Sequence, residues 1–451
     1  MNRPLLRASV AFVAVAPMIQ TILAPERFQS RARGDLAALE SVVTRSSGRL
    51  AAVFPSLVAS TALILLVVSM PRILRLKVLD LAPAMLFVLT ISLTAAVNRD
   101  LPSVASTAPA LAIVFAVVFV HEGPREALYD AARIIDVFVA LSWVAVLLAP
   151  GVAVESEYRS LIPGLEYRVH GLAPHANSLA VIAGASVLVS YALGRRWYSY
   201  ALPVVTLLGA QSKTTIFALL VAIAVLALSS RGNVSLVKAT LVVLGGAQVL
   251  LIILFTRMDG LRVSETIGPF GDLTGRTSIW SISTDSWLSG SPLFGIGSAF
   301  WSEEMQFRYL SVLGFAPGQA HNELLQSLGR YGVVGSIAAT FVFVVLARKS
   351  LMVDERRLRG AAVGLLALTL VRAGTESVLP GSFLEVNVFV LILMYIMASQ
   401  ADRADSGSEA AIGSYGAAGG SVSKHLSAKD VERASLLRKG MPISASGGPS
   451  G

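Results

Sequence analysis

The sequence predicts an all-α polytopic membrane protein with about twelve transmembrane helices and one long outer-face loop containing short helices. Of its 451 residues, 54% are hydrophobic and only 14% are charged, and the mean hydropathy is +0.69. That is more apolar surface than a water-soluble chain of this length can bury. The apolar residues come in runs, and a run of roughly 20 residues of helix crosses a bilayer. Lys and Arg fall in the short connections between the runs, so the formal charge of +9 reads as the positive-inside bias rather than a nucleic-acid footprint.

In chain order the candidate spans are approximately 8–24, 50–70, 78–97, 102–120, 132–149, 176–194, 197–210, 214–229, 237–256, 333–347, 360–376 and 383–399. Met1–Ala24 places Arg3 and Arg7 ahead of an apolar stretch, as a signal peptide does, but without a small-residue cleavage site it is taken as the first transmembrane helix. The span at 197–210 is short, opens with Trp197 and Tyr198, and is the weakest. A cytoplasmic N-terminus puts Arg72, Arg75, Lys77, Arg125, Arg195, Arg196, Arg231 and the Arg348–Arg359 cluster inside. The segment 25–48 is the exception, since it carries several Arg on the outer side; its 35–43 stretch fits a short amphipathic helix on the membrane surface. The chain thus divides into 1–256 with about nine spans, the long loop 257–320, 321–400 with about three spans, and a cytoplasmic tail, 401–451, whose Gly, Ser and Ala content predicts disorder. With no Cys in the sequence, disulfides and thiolate chemistry are excluded.

Chemistry on a large substrate belongs on the outer-face connections 149–174, 209–214 and 257–320. The aromatic residues of the long loop, among them Trp280, Trp287, Phe300, Trp301 and Tyr309, are spaced as in short helices near the interface, and anchoring to headgroups would account for them equally well. Of the five histidines, His121 lies at a cytoplasmic helix end and His425 in the tail. His170, His175 and His321 lie on the outer face. Their spacing fits no standard metal site. His321 should open a helix bearing Leu324, Leu325 and Leu328 on one side. A neutral imidazole there can take a proton from a sugar hydroxyl, although a helix-capping role is an equally simple reading.

Arg168, Lys213, Arg276 and Arg372 fall on the same outer face, against the positive-inside bias. Gathered, they would clamp phosphate oxygens, with Arg binding as a fork and Lys as a point charge. Singly, each fits interfacial snorkelling. The acids of this face include Glu157, Glu166, Asp272, Asp285, Glu303, Glu304, Glu376 and Glu385, and the sequence does not select which of them orients His321. There is no Walker A sequence, and GIGSAF does not complete a dinucleotide fingerprint. An Asp-x-Asp pair that would hold a cation on a diphosphate is also lacking.

The stretch AHNELLQSLGRYGVVG resembles the O-antigen ligase and polysaccharide polymerase family of bacterial inner-membrane glycosyltransferases, in its His-Asn start and its two Gly separated by two residues at a helix entrance. GRTSIW, GIGSAF, YRVHGLAPHANSLA and QSKTTIFALL are similar to further motifs of that family, in the same order. Lys213 stands where the family usually has Arg, and Arg330 where it commonly has Glu. The resemblance implies a metal-independent inverting glycosyltransferase of the GT-C type, without a cofactor, in the bacterial inner membrane. It implies a periplasmic active face, an undecaprenyl-diphosphate-linked glycan as donor, and lipid A-core or another lipid-linked glycan as acceptor, in lipopolysaccharide or exopolysaccharide biosynthesis. By position His321 would be the catalytic base and Arg276 with Lys213 would hold the diphosphate. Arg168 and Asn322 are further substrate-binding candidates, and Arg372 joins them from its expected depth. Two other classes remain open from sequence: a polytopic secondary transporter of a small solute or polysaccharide precursor, and a non-catalytic scaffold of an assembly complex.

Overall fold

The computed structural model describes residues 78–100, 110–114, 124–155, 166–257, 276–313, 319–379 and 385–399, with isolated positions at 12–19, 57–70, 107 and 381. The expected spans at 8–24, 50–70 and 102–120 fall mostly outside these residues, as do the first part of the long loop and the tail. Among the described residues the chain is nearly all helical: α1 (Val78–Asn98), α2 (Pro124–Leu148), α3 (Ala176–Ala192), α4 (Ala201–Ala210), α5 (Lys213–Ser230), α6 (Val234–Arg257), α7 (Arg276–Ser289), α8 (Glu303–Leu313), α9 (Glu323–Leu351), α10 (Arg356–Ala373) and α11 (Val386–Ala398). Two residue pairs, β1 (Val154–Glu155) and β2 (Arg168–Val169), form an antiparallel ladder.

Stretches of four of these helices, Leu81–Asn98, Arg125–Leu148, Lys213–Ser230 and Glu323–Leu351, are long and apolar enough to cross a membrane, and Ala176–Ala192, Val234–Leu250 and Val386–Ala398 are shorter apolar helices. Local chemistry explains their ends. α2 opens on Pro124 with Glu126 in its first turn, since proline fits a position whose amide needs no partner and a carboxylate complements the helix dipole. α5 is capped by Ser212, whose side chain accepts from the Thr215 amide, and α9 closes with Arg348 and Lys349 in its last turn. The weakest expected span, 197–210, folds as a 3₁₀ turn at Trp197–Tyr200 followed by α4. Ten residues of α-helix rise only about 15 Å, and Gln211 ends the helix in the left-handed region at φ 48°.

The core is built on α10 and α11, which are apolar nearly all round and sealed by their neighbours: every residue of α11 except Asn387 is buried. A helix with no polar face belongs inside a bundle. The small face of α10 at Gly360 and Gly364 lies against Leu226 and Ala222 of α5, a small-residue contact of the kind that brings membrane helices close. By contrast Leu147, Leu148, Phe217, Leu220, Val242 and Ile337 are exposed, as lipid-facing residues are.

α3 and α10 give the bundle two ends. At one, Arg125 meets Glu355 at 2.8 Å, Arg195 meets Asp136 at 2.7 Å, and Tyr191 meets Ser230 at 3.2 Å. Arg125, Arg195 and the residues around Glu355 are those that the charge pattern assigns to one side. At the other end lie His321, Arg276, Asn177 and Glu376.

The long loop carries short helices α7 and α8 and a 3₁₀ turn at Gly297–Trp301. Trp280, Phe300 and Tyr309 are fully buried there with Ile279, Ile282, Ala320 and Leu325 in a core of their own. Trp301 stacks on Tyr309 at 5.5 Å, and Ser283 shares a hydrogen bond with the Tyr309 hydroxyl at 2.7 Å. These aromatics hold the loop together from within.

This loop is stitched into α9. Gly332 interrupts the helix at φ 66° and ψ −164°, which frees backbone groups that apolar surroundings cannot satisfy. The loop satisfies them: the Val333 and Val334 amides donate to Pro292 and Leu293, and the Ile296 amide donates to Gly329. Phe300 lies so close over Gly329 that a Cβ would sit 2.1 Å from the ring. The Gly-x-x-Gly spacing of the sequence is therefore a docking surface for the loop.

Candidate active site

His321 precedes α9 in the left-handed region, at φ 51°, a conformation that a non-glycine residue holds only where its surroundings fix it. Asn322 next to it is the N-cap: its side-chain oxygen accepts from the Leu325 amide at 3.0 Å and its amide donates to the Gly374 carbonyl at 3.2 Å. Glu323 accepts from the Val378 and Leu379 amides at 2.7 and 2.8 Å and from Ser327 at 2.8 Å. The three residues His-Asn-Glu thus dock onto the segment Gly374–Leu379, and Glu376 lies in its middle.

Glu376 is the hub. One carboxylate oxygen accepts from Arg276 Nη2 at 2.9 Å and from Asn177 Nδ2 at 2.8 Å. The other faces His321 Nδ1 at 3.2 Å and accepts from Gln319 Nε2 at 3.1 Å. A carboxylate has about four acceptor positions, and all are used. The side chain of Glu376 is 5% exposed, that of Arg276 15% and that of His321 27%. Burial alone would push the Glu376 carboxyl up, but the His321 hydrogen bond and charge, then Arg276 and Arg372, outweigh it and hold the carboxyl down at about 2. An ionised carboxylate only accepts, so the 3.2 Å contact is a hydrogen bond when His321 Nδ1 carries a proton, whether in the imidazolium or in the Nδ1–H neutral ring.

Arg168 reaches the hub indirectly. Its guanidinium donates to Asn177 Oδ1, its Nε donates to the Ala210 carbonyl at 2.9 Å, and Nη1 lies 3.6 Å from Glu155. Arg372 is buried in the last turn of α10, close enough to Glu376 to contribute to its charge balance. Among the described residues its Nε has no hydrogen-bond partner. Lys213 is exposed at the start of α5, at the corner after Ala210 where Arg168 is anchored. The structure therefore brings His321 and Arg276 onto the two oxygens of one carboxylate and sets Arg168 and Arg372 in the surrounding layer. It places Lys213 beside that layer and spends Asn322 on the cap and on Gly374.

His175 and His170 adjoin this cluster. His170 is buried with Nδ1 3.0 Å from the Ala173 carbonyl. His175 is exposed at the surface, with other charged groups of the site around it. Burial pushes its imidazole down to about 4, opposed by Glu376 and assisted by His170, Arg168 and His321. Among the described residues no group of His, Asp and Glu is arranged to hold a metal ion. Sequence reasoning named Glu376 only as one acid among eight and passed over Asn177 and Gln319. No spacing joins Glu376 to His321, because the contact is made by folding; Asn177 was visible only within the HANSLA motif.

The fold and site define a helical membrane protein with an imidazole, a buried carboxylate and a basic layer at one end of its bundle. The O-antigen ligase family model matches residues 198–340, so the resemblance read from the motifs holds over that segment, which is less than half of the chain. No curated protein matches the chain. The matched segment contains Lys213, Arg276, His321 and Asn322, and it leaves out Arg168, Asn177, Arg372 and Glu376.

Proposed function

We propose that the protein is a metal-independent, inverting membrane glycosyltransferase that transfers or polymerises glycan from an undecaprenyl-diphosphate-linked donor at the periplasmic face of the bacterial inner membrane. The observation that carries this reading is that His321 and Arg276, from distant parts of the matched segment, meet on one buried carboxylate. A base and a phosphate-binding cation held in one hydrogen-bonded unit suit a reaction that removes a proton from an acceptor while a diphosphate departs.

In the reaction the acceptor hydroxyl oxygen attacks the anomeric carbon of the donor from the face opposite the diphosphate. Its proton passes to Nε2 of His321, and the bond from the anomeric carbon to the diphosphate oxygen breaks with its electron pair on the leaving diphosphate. The imidazolium then returns its proton to water. Arg276, with Arg372 and Arg168 in the surrounding layer and Lys213 beside it, offsets the charge of the diphosphate. The acceptor is lipid A-core in a ligase and another lipid-linked glycan in a polymerase.

The family match lends no support to a transporter reading, and Asp136, a carboxylate within the apolar helix α2, is paired with Arg195. The deciding experiment incubates purified protein with a lipid-linked repeat unit, alone and with lipid A-core. Wild type should form longer or ligated glycan and His321→Ala none, at equal membrane abundance. Wild-type product from His321→Ala overturns the assignment.

A further inference from the structure

We propose that Glu376 is a positioning residue that fixes His321 in the tautomer with Nε2 as the base, and that Asn322 and Glu323 exist in part to hold Glu376 there. The proposal rests on the reading of His321 as a base, and its geometry is independent of which glycan is transferred.

Several observations bear on it together. The Nδ1 contact can be a hydrogen bond to an ionised carboxylate only if Nδ1 donates, so the carboxylate sets the tautomer. As Nε2 takes a proton the ring becomes cationic, and a buried anion already in contact stabilises that charge without reorganisation. The carboxylate cannot swing away, because Arg276, Asn177 and Gln319 occupy its remaining positions. Its backbone is pinned on both sides by the residues that follow the base: Asn322 holds Gly374, and Glu323 holds Val378 and Leu379. Base and carboxylate are thus set by one helix start, and an error in either would move both. Among the described residues, the other charged or titratable groups gathered around the pair include Arg276 on α7, Arg372 on α10, Glu323 in the first turn of α9, and Arg168, His170 and His175 ahead of α3.

The test uses the full chain in nanodiscs with ¹⁵N-labelled histidine. In wild type the His321 ring should show a protonated Nδ1 and an unprotonated Nε2 in its neutral form. Glu376→Gln should give mixed tautomers, move the acidic limb of the glycan-transfer pH profile to lower pH, and lower kcat roughly 10- to 100-fold, with a smaller change in KM. Asn322→Ser, which can still cap α9 but cannot reach Gly374, should produce the same tautomer mixing to a lesser degree, and it decides the matter if Glu376→Gln does not fold. A single unchanged tautomer in the folded variants, with an unmoved pH profile, overturns the proposal. Full transfer by His321→Ala overturns the base assignment instead and leaves the tautomer result to stand by itself.

Discussion

His321 Nδ1 and Glu376 Oε2 lie 3.2 Å apart although 55 residues separate them in the chain. The contact spans two helices, since His321 precedes α9 and Glu376 follows α10. It exists because α9 and α10 run antiparallel and the connection after α10 turns back over the start of α9. The result is a hydrogen-bonded imidazole and carboxylate at the mouth of a helix.

His175 and Glu376 should each make a contribution to stability that is lost in acid. His175 titrates at about 4 in the folded state against 6.5 for a free imidazole, so between these values the unfolded chain binds the extra proton and stability falls as pH falls. Glu376 is held at about 2, well below the 4.5 of a free carboxyl. Its contribution is complete above pH 4.5 and is lost as pH drops from there towards 2. Thermal unfolding in detergent from pH 7.5 to 3 should show both windows, with His175→Gln removing the upper one and Glu376→Gln flattening the lower. A difference in melting temperature between wild type and either variant that does not change with pH contradicts the assignment of that residue.

How much of this was legible beforehand differs between fold and site. The spans at 214–229 and 237–256 were readable because lipid demands an unbroken apolar run, and α5 and α6 follow them within a few residues. His321 and Arg276 were readable because scarce residue types sat in motifs. Glu376 was not, because a carboxylate selected by three-dimensional contact leaves no periodic or spacing signal. Nor was the left-handed backbone of His321, which depends on Asn322 and Glu323 docking onto a segment some 50 residues away.

Asn322 separates capping from clamping. Asn322→Ala removes the cap, which costs about 1 kcal/mol, and also leaves the Gly374 carbonyl without its donor. Asn322→Ser retains the cap and loses only the clamp. Melting temperatures should rank wild type above Ser above Ala, while both variants lose turnover to a similar degree. Equal turnover in wild type and Asn322→Ser would make Asn322 a cap alone.

Lys213 offers a test in which stability and activity move in opposite directions. It is exposed at the first position of α5, where the helix dipole disfavours a cation and favours an anion. Lys213→Gln should leave the melting temperature unchanged or slightly raised, by a few tenths of a kcal/mol in stability, and raise KM for the lipid-linked donor several-fold. The salt dependence of donor binding should weaken in parallel. An unaltered KM removes Lys213 from the donor site without touching the His321 assignment.

The break in α9 predicts that two glycine-to-alanine changes have opposite signs. At Gly332 a Cβ would stand 2.3 Å from the Leu293 carbonyl group, on a residue at φ 66°. Gly332→Ala must therefore expel the Pro292–Ile296 segment or straighten the helix, and either course forfeits the hydrogen bonds from Val333, Val334 and Ile296. A loss of roughly 3 kcal/mol is expected from backbone strain and overpacking combined. Hydrogen exchange should rise first at 292–296 and then at the start of α9, and transfer should fall because His321 stands at that start. Gly245, inside α6 with nothing within 4 Å of an added Cβ, gives the opposite case. There alanine only restores helix propensity and should stabilise by about 0.5–1 kcal/mol, with transfer unchanged. If both changes act alike, the loop is not held in the break, and the Gly-x-x-Gly spacing needs another physical cause.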